Sequence, residues 1–150
     1  MKSLLIATLL TFLTTFAPAA QSELAWGTDL PAAKTKAKTS GKMILLDFTG
    51  SDWCANCIIL NKRVFLSPEF AAYARENLEL VEIDFPHDKE QTDAQKKAND
   101  AVQEKYRVEY YPTVVVLNSR GRKLGTIMYE GEGPQAFIDR IKKLAPQKKR

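Results

Sequence analysis

An apolar run, Met43-Ile44-Leu45-Leu46-Asp47-Phe48, passes through a short loop into Trp53-Cys54-Ala55-Asn56-Cys57. No other stretch constrains the fold as much. A run so nearly apolar reads as a strand covered on both faces. Helical spacing then begins at the first cysteine, with Cys57, Ile58, Leu60 and Val64 recurring. These two cysteines are the only ones in the chain. Thiols placed at the start of a helix can gain and lose a disulfide reversibly, which points to thiol–disulfide exchange.

Other uses of two cysteines fit poorly. A structural zinc site usually takes four Cys or His ligands, and the chain offers one histidine, His87, far along the sequence. The loop that Cys54 and Cys57 would close is so short that it removes little entropy from the unfolded chain, so a structural staple is a weak reading. No metal is expected.

The N-terminus has the pattern of an export signal. Lys2 supplies the positive region, Leu4 to Phe16 an apolar stretch, and Ala17-Pro18-Ala19 a small-x-small cleavage site. Cleavage after Ala19 is expected; cleavage after Ala20 would put Pro18 at an unfavourable position. An uncleaved anchor is the rival reading, although the run is shorter than the roughly 20 apolar residues of a spanning helix. Residues 1–19 are thus read as a leader, 20–145 as one domain, and 146–150 as a basic tail. Outside the cytosol a disulfide can persist. Two cysteines are no scaffold for a mature chain of roughly 130 residues, so an apolar core must hold the fold. The formal charge is +4. The basic residues are scattered apart from Lys34, Lys36, Lys38 and the tail, which suits a solvated helix face better than nucleic acid.

Along the domain, Gln21–Gly27 reads as a lead-in. Thr28 or Asp29 can cap a helix with Pro31 in its first turn, and Gly41 ends it. Lys42–Phe48 is the strand already described. Cys54–Phe65 is helical, and Ser67-Pro68 starts a further helix to about Asn77. Leu78–Phe85 reads as a second central strand. Pro86–Gln91 is a polar loop, and Thr92-Asp93-Ala94-Gln95 is a capping-box pattern opening a helix to about Tyr106. Thr113–Leu117 and Arg122–Tyr129 form a hairpin around Asn118-Ser119-Arg120-Gly121. Pro134 opens a last helix striped by Phe137, Ile138, Ile141 and Leu144. The alternation predicts an α/β fold: a mixed central sheet with helices on both faces.

With these features in place, the chain from about Trp26 to Leu144 resembles the thioredoxin superfamily. Trp53-Cys54-Ala55-Asn56-Cys57 follows a central strand, Tyr111-Pro112-Thr113 precedes the next core strand, and a hairpin and helix close the domain. Phe48-Thr49-Gly50-Ser51-Asp52-Trp53-Cys54 with Val64-Phe65 is most similar to exported bacterial proteins of the disulfide-reductase type. The resemblance implies the thioredoxin fold and a cis Tyr111–Pro112 bond. There are departures. Ala55-Asn56 replaces the usual dipeptide, the loop before Cys54 is one residue longer than in thioredoxin, and the 86–103 segment is longer and more charged. Leu80 stands at about the place of a lysine that thioredoxins hold near their buried acid.

The site residues follow. Cys54, at a helix start, gains unpaired N–H groups and the helix dipole, which favour a thiolate; it is the expected nucleophile. Cys57, one turn on, is expected to resolve the mixed disulfide. Trp53 either shields the pair and meets substrate or simply packs. Pro112 leaves the backbone of Tyr111 to pair with an extended substrate segment, while the Tyr111 ring either touches substrate or packs. Asp47 is either a proton acceptor for Cys57 or an acid at the strand end that meets solvent. Asp52 and His87 read as surface residues.

The expectation is an exported thiol–disulfide oxidoreductase, periplasmic in a Gram-negative bacterium and otherwise secreted. It needs no bound cofactor, because the cysteine pair carries the electrons. The expected partners are cysteine-containing protein substrates and a membrane or soluble redox partner that resets the pair; the chain itself is expected to be a monomer. Family likeness favours reduction or isomerisation over oxidation. The alternative is a non-catalytic binding module with idle cysteines.

Overall fold

The computed structural model describes residues 24–146. The leader with its cleavage site, and all of the basic tail except Pro146, lie outside these residues.

Strand β1 (Trp26–Gly27) leads into helix α1 (Leu30–Ser40), β2 (Met43–Thr49) and α2 (Ala55–Leu60). A π-helical turn (Asn61–Phe65) joins α2 to α3 (Pro68–Asn77), which is followed by β3 (Leu78–Asp84), α4 (Asp93–Tyr106), β4 (Thr113–Leu117), β5 (Lys123–Met128) and α5 (Pro134–Leu144). The five strands form one sheet in the order β1-β3-β2-β4-β5. The β1–β3 and β3–β2 pairs are parallel, and the β2–β4 and β4–β5 pairs antiparallel. The mixed α/β sheet is therefore present as expected.

The helix ends follow local chemistry. The Asp29 carboxylate accepts from the Ala32 N–H at 3.1 Å, and Gly41 (φ 75°) adopts the left-handed conformation that closes α1. Ser67 and Thr92 cap α3 and α4 in the same way, each accepting an N–H three residues on at 3.1 Å. The capping box at α4 forms only in part: the Gln95 side chain turns away to Asn99 at 2.8 Å and to the Thr28 carbonyl.

Two elements differ from the sequence expectation. The lead-in contains β1, whose Trp26 pairs with Leu80 and packs on Phe65, ring centroids 5.1 Å apart. Two residues are too short to show alternation; pairing creates this strand. The Cys54–Phe65 helix also changes pitch after Leu60. Leu66 N–H donates five residues back to Asn61 at 2.9 Å. The wider turn brings Phe65 round to join Leu60 and Val64 in the core.

Alternation divides the core between the faces. Leu45, Leu80, Val114 and Val116 face α2, α3 and α5, packing on Val64, Phe70 and Phe137. Ile44, Leu46, Phe48, Val81 and Val115 face α1 and the end of α4. At roughly 25 cal/mol per Å², the apolar area these side chains remove from water is the main stabilising contribution.

Candidate active site

The chain leaves β2 at Thr49 and turns at Gly50, whose carbonyl accepts the Cys54 N–H at 2.9 Å. A Cβ at Gly50 would lie within 2.6 Å of Trp53 Nε1, so the tryptophan needs glycine there. Cys54 is the N-cap of α2 and is disulfide-bonded to Cys57, with Cα atoms 5.2 Å apart. The Cys57 N–H points at Cys54 Sγ at 3.3 Å. In the reduced protein this donor and the helix dipole would hold a thiolate at Cys54. The two residues are almost equally buried: Cys54 is 7% exposed and Cys57 4%. Position at the helix end is what distinguishes them.

An aromatic chain borders the cysteines. Trp53 is 42% exposed and donates through Nε1 to the Phe85 carbonyl at 2.7 Å. Its ring stacks on His87 at 4.6 Å and meets the edge of Tyr111 at 6.0 Å. Tyr111 also stacks on Phe85 at 5.4 Å, and its hydroxyl accepts from Gln103 Nε2 at 2.7 Å. The Tyr111 ring is thus packed and half-buried, and burial raises its pKa. The exposed aromatic of this loop is Tyr110, at 68%. The Tyr111–Pro112 bond is cis.

Asp52 and His87 lie at the surface, where they organise the loop around Trp53. The Asp52 carboxylate accepts the N–H groups of His87 at 2.9 Å, Asp88 at 2.8 Å and Lys89 at 3.1 Å. The His87 N–H bond is the largest of the effects that lower the Asp52 pKa. This acid ties the loop after β3 to the cysteine loop and sets His87 against Trp53. Only the fold brings residues 52 and 87 together.

Asp47 is buried, and its Oδ1 has no hydrogen-bond partner among the described residues. Burial raises its pKa well above the ordinary carboxylate range, and the charges of Glu82 and Asp84 add to the effect. Asp47 pairs across β3 with Glu82, while Leu80 pairs with Leu45. A second carboxylate therefore stands beside the buried acid. Asp47, Glu82 and Cys57 line one cavity of about 400 Å³. Sequence reasoning passed over Glu82. Its signal was the alternation of Leu80, Glu82 and Asp84 on one side of β3, which acquires meaning only with the register.

The thioredoxin-like family profile matches residues 25–119. The chain belongs to the thioredoxin superfamily. Within it, the disulfide bond reductase DsbH of Chlamydia pneumoniae is 33% identical over 125 residues, spanning 83% of this chain and 75% of that protein. A solved DsbH oxidoreductase superposes with a TM-score of 0.79 at 31% identity, over 89% of this chain and 92% of that one. A thioredoxin from Thermus thermophilus shares the fold, with a TM-score of 0.61 at 19% identity over 81% of this chain and 87% of that one. The chain is a thiol–disulfide oxidoreductase of this superfamily, with a Cys54–Cys57 disulfide at the start of α2.

Proposed function

We propose that this is an exported disulfide reductase acting on protein substrates. The observation that carries the reading is the Cys54–Cys57 disulfide at the α2 N-terminus, with Cys57 and the buried Asp47 lining one cavity. The reductase assignment leans on the likeness to DsbH, and export on the N-terminal pattern of residues 1–19.

In the proposed cycle Cys54 thiolate attacks a substrate disulfide. A Cys54–substrate bond forms and one substrate sulfur leaves as a thiolate. Cys57 loses its proton to Asp47 and attacks Cys54 Sγ, releasing the second substrate sulfur and closing the Cys54–Cys57 disulfide. The substrate disulfide is reduced by two electrons and the enzyme dithiol is oxidised; a redox partner with a dithiol of its own restores it. Trp53, the exposed Tyr110 and the Tyr111–Pro112 backbone supply the substrate surface, where an extended segment can pair by strand addition.

Equilibration of Cys54–Cys57 against glutathione buffers tests the direction. A reductase should give a potential near the thioredoxin range, about −270 mV, and should reduce a protein disulfide when supplied with a dithiol. Cys57→Ser should accumulate a mixed disulfide through Cys54. A potential near about −120 mV would make the protein an oxidant, and absence of exchange would leave a binding module. Cleavage after Ala19, read by mass spectrometry of the periplasmic or secreted protein, tests export.

A further inference from the structure

Glu82 stands on the same side of the sheet as Asp47, directly across the parallel β2–β3 pair. Both line the cavity that also reaches Cys57. Its walls run from the buried Asp47 and Cys57 and the half-buried Glu82 to the exposed side chains of Lys62, Pro68 and Arg75, so it connects the acid to the surface. Asp47 is only 6% exposed and keeps Oδ1 without a partner. The third acid, Asp84, differs: its carboxylate accepts the Ser51 N–H at 2.9 Å and the Ser51 hydroxyl at 2.6 Å. Two carboxyl groups are thus left to share one poorly solvated space, and like charges so placed resist ionising together.

We propose that Asp47 and Glu82 work as one proton-sharing pair, which takes the Cys57 proton during resolution and passes it through the cavity to solvent. This rests on the disulfide-exchange reading and adds Glu82 as a positioning residue that acts through Asp47. The step balances. Cys57 S–H and the Asp47 carboxylate become Cys57 thiolate and Asp47 carboxylic acid; the thiolate is consumed in forming the Cys54–Cys57 bond. The proton then moves by way of water to the Glu82 carboxylate and on to bulk. The groups facing the pair are Asp84 on β3, Cys57 on α2, Lys62 in the π turn and Arg75 on α3, with Lys89 near Glu82. The β4 neighbour of Asp47 is the uncharged Val114. Burial first, and the Asp84 charge second, raise the Glu82 pKa, while Lys89 opposes them.

The test follows the carboxyl carbons by NMR in full-length protein labelled at Asp and Glu, alongside the pH profile of single-turnover resolution. Glu82→Gln removes a negative charge, so the Asp47 midpoint should fall by about one pH unit. The acid limb of the resolution rate should move down with it, and Glu82→Asp should restore both. Alkylation of Cys54 should stay as in the wild type. An Asp47 midpoint unmoved by Glu82→Gln overturns the pairing; so does a rate profile that fails to follow a moved midpoint. If Glu82→Gln does not fold, the wild-type Glu82 signal must show an inflection at the Asp47 midpoint, and its absence is equally fatal. A wild type inert towards protein disulfides would refute the reductase reading instead, since the titration is read without turnover.

Discussion

At the residue scale, Asp47 illustrates how one side chain can cost stability and serve chemistry. A carboxylate with a buried, unpartnered oxygen is disfavoured as an anion. Its folded pKa is raised, so it stabilises the fold fully only below its unfolded pKa, and that contribution is lost as pH rises through the folded value. Asp47→Asn should therefore stabilise the protein at neutral pH by about 1–3 kcal/mol, with the gain shrinking towards pH 4. Urea unfolding at several pH values checks the sign. The same substitution should slow resolution about tenfold or more and leave Cys54 alkylation unaltered. A variant that loses stability at neutral pH would show that the carboxylate has a partner. The sequence marked Asp47 as an odd acid in an apolar strand. It could not say that Glu82 lies opposite, because register is a property of two strands and of the helices that pin them.

At the element scale, the loop after β3 belongs to the active site. Three consecutive N–H groups converge on Asp52, and Trp53 reaches across to the Phe85 carbonyl. Gln91 Nε2 donates to the Asp84 carbonyl at 3.1 Å, and buried Asn99 does the same from α4 at 2.8 Å. The charged 86–103 segment is thus moored to the end of β3 that carries the acids. Asp52→Ala should strip hydrogen-exchange protection from His87, Asp88 and Lys89 and change Trp53 fluorescence. Asp52 has a lowered pKa, so its support is present above the unfolded carboxylate value and fades as pH falls through the folded one. Acidification of the wild type should produce the same spectral change. Unaltered exchange at residues 87–89 in the variant would mean that the loop holds itself. Local signals had placed the caps at Ser67 and Thr92 and narrowed the first to Thr28 or Asp29, because a cap is settled within four residues. Asp52 was legible only as a surface residue, because its three donors are 35 to 37 positions away.

At the scale of the whole molecule, the α2–α3–α5 face supports the cysteines on an aromatic cluster. Phe65 lies 5.0 Å from Phe70 and 5.9 Å from Phe137, and the latter two are fully buried. Phe137→Ala should cost about 3–5 kcal/mol while leaving the Cys54–Cys57 potential close to that of the wild type, because α5 packs chiefly on α3, β5 and the π turn. A large change in potential would tie α5 to the redox chemistry directly. Most of this architecture was visible in the chain. An apolar β2, alternating strands, Pro and Ser at helix starts and glycine turns are short-range patterns, and burial follows from them. So was the position of Cys54 and Cys57 at a strand–helix junction, since all of it lies within fifteen residues. Tertiary structure decided the rest. It made a strand of Trp26–Gly27, widened the turn at Asn61–Phe65, set His87 on Trp53, stacked the Tyr111 ring on Phe85 and put Glu82 beside Asp47. Each of these depends on a contact between groups distant in sequence or on a fit to the packed core, and a linear pattern carries no record of which neighbour a folded chain will supply.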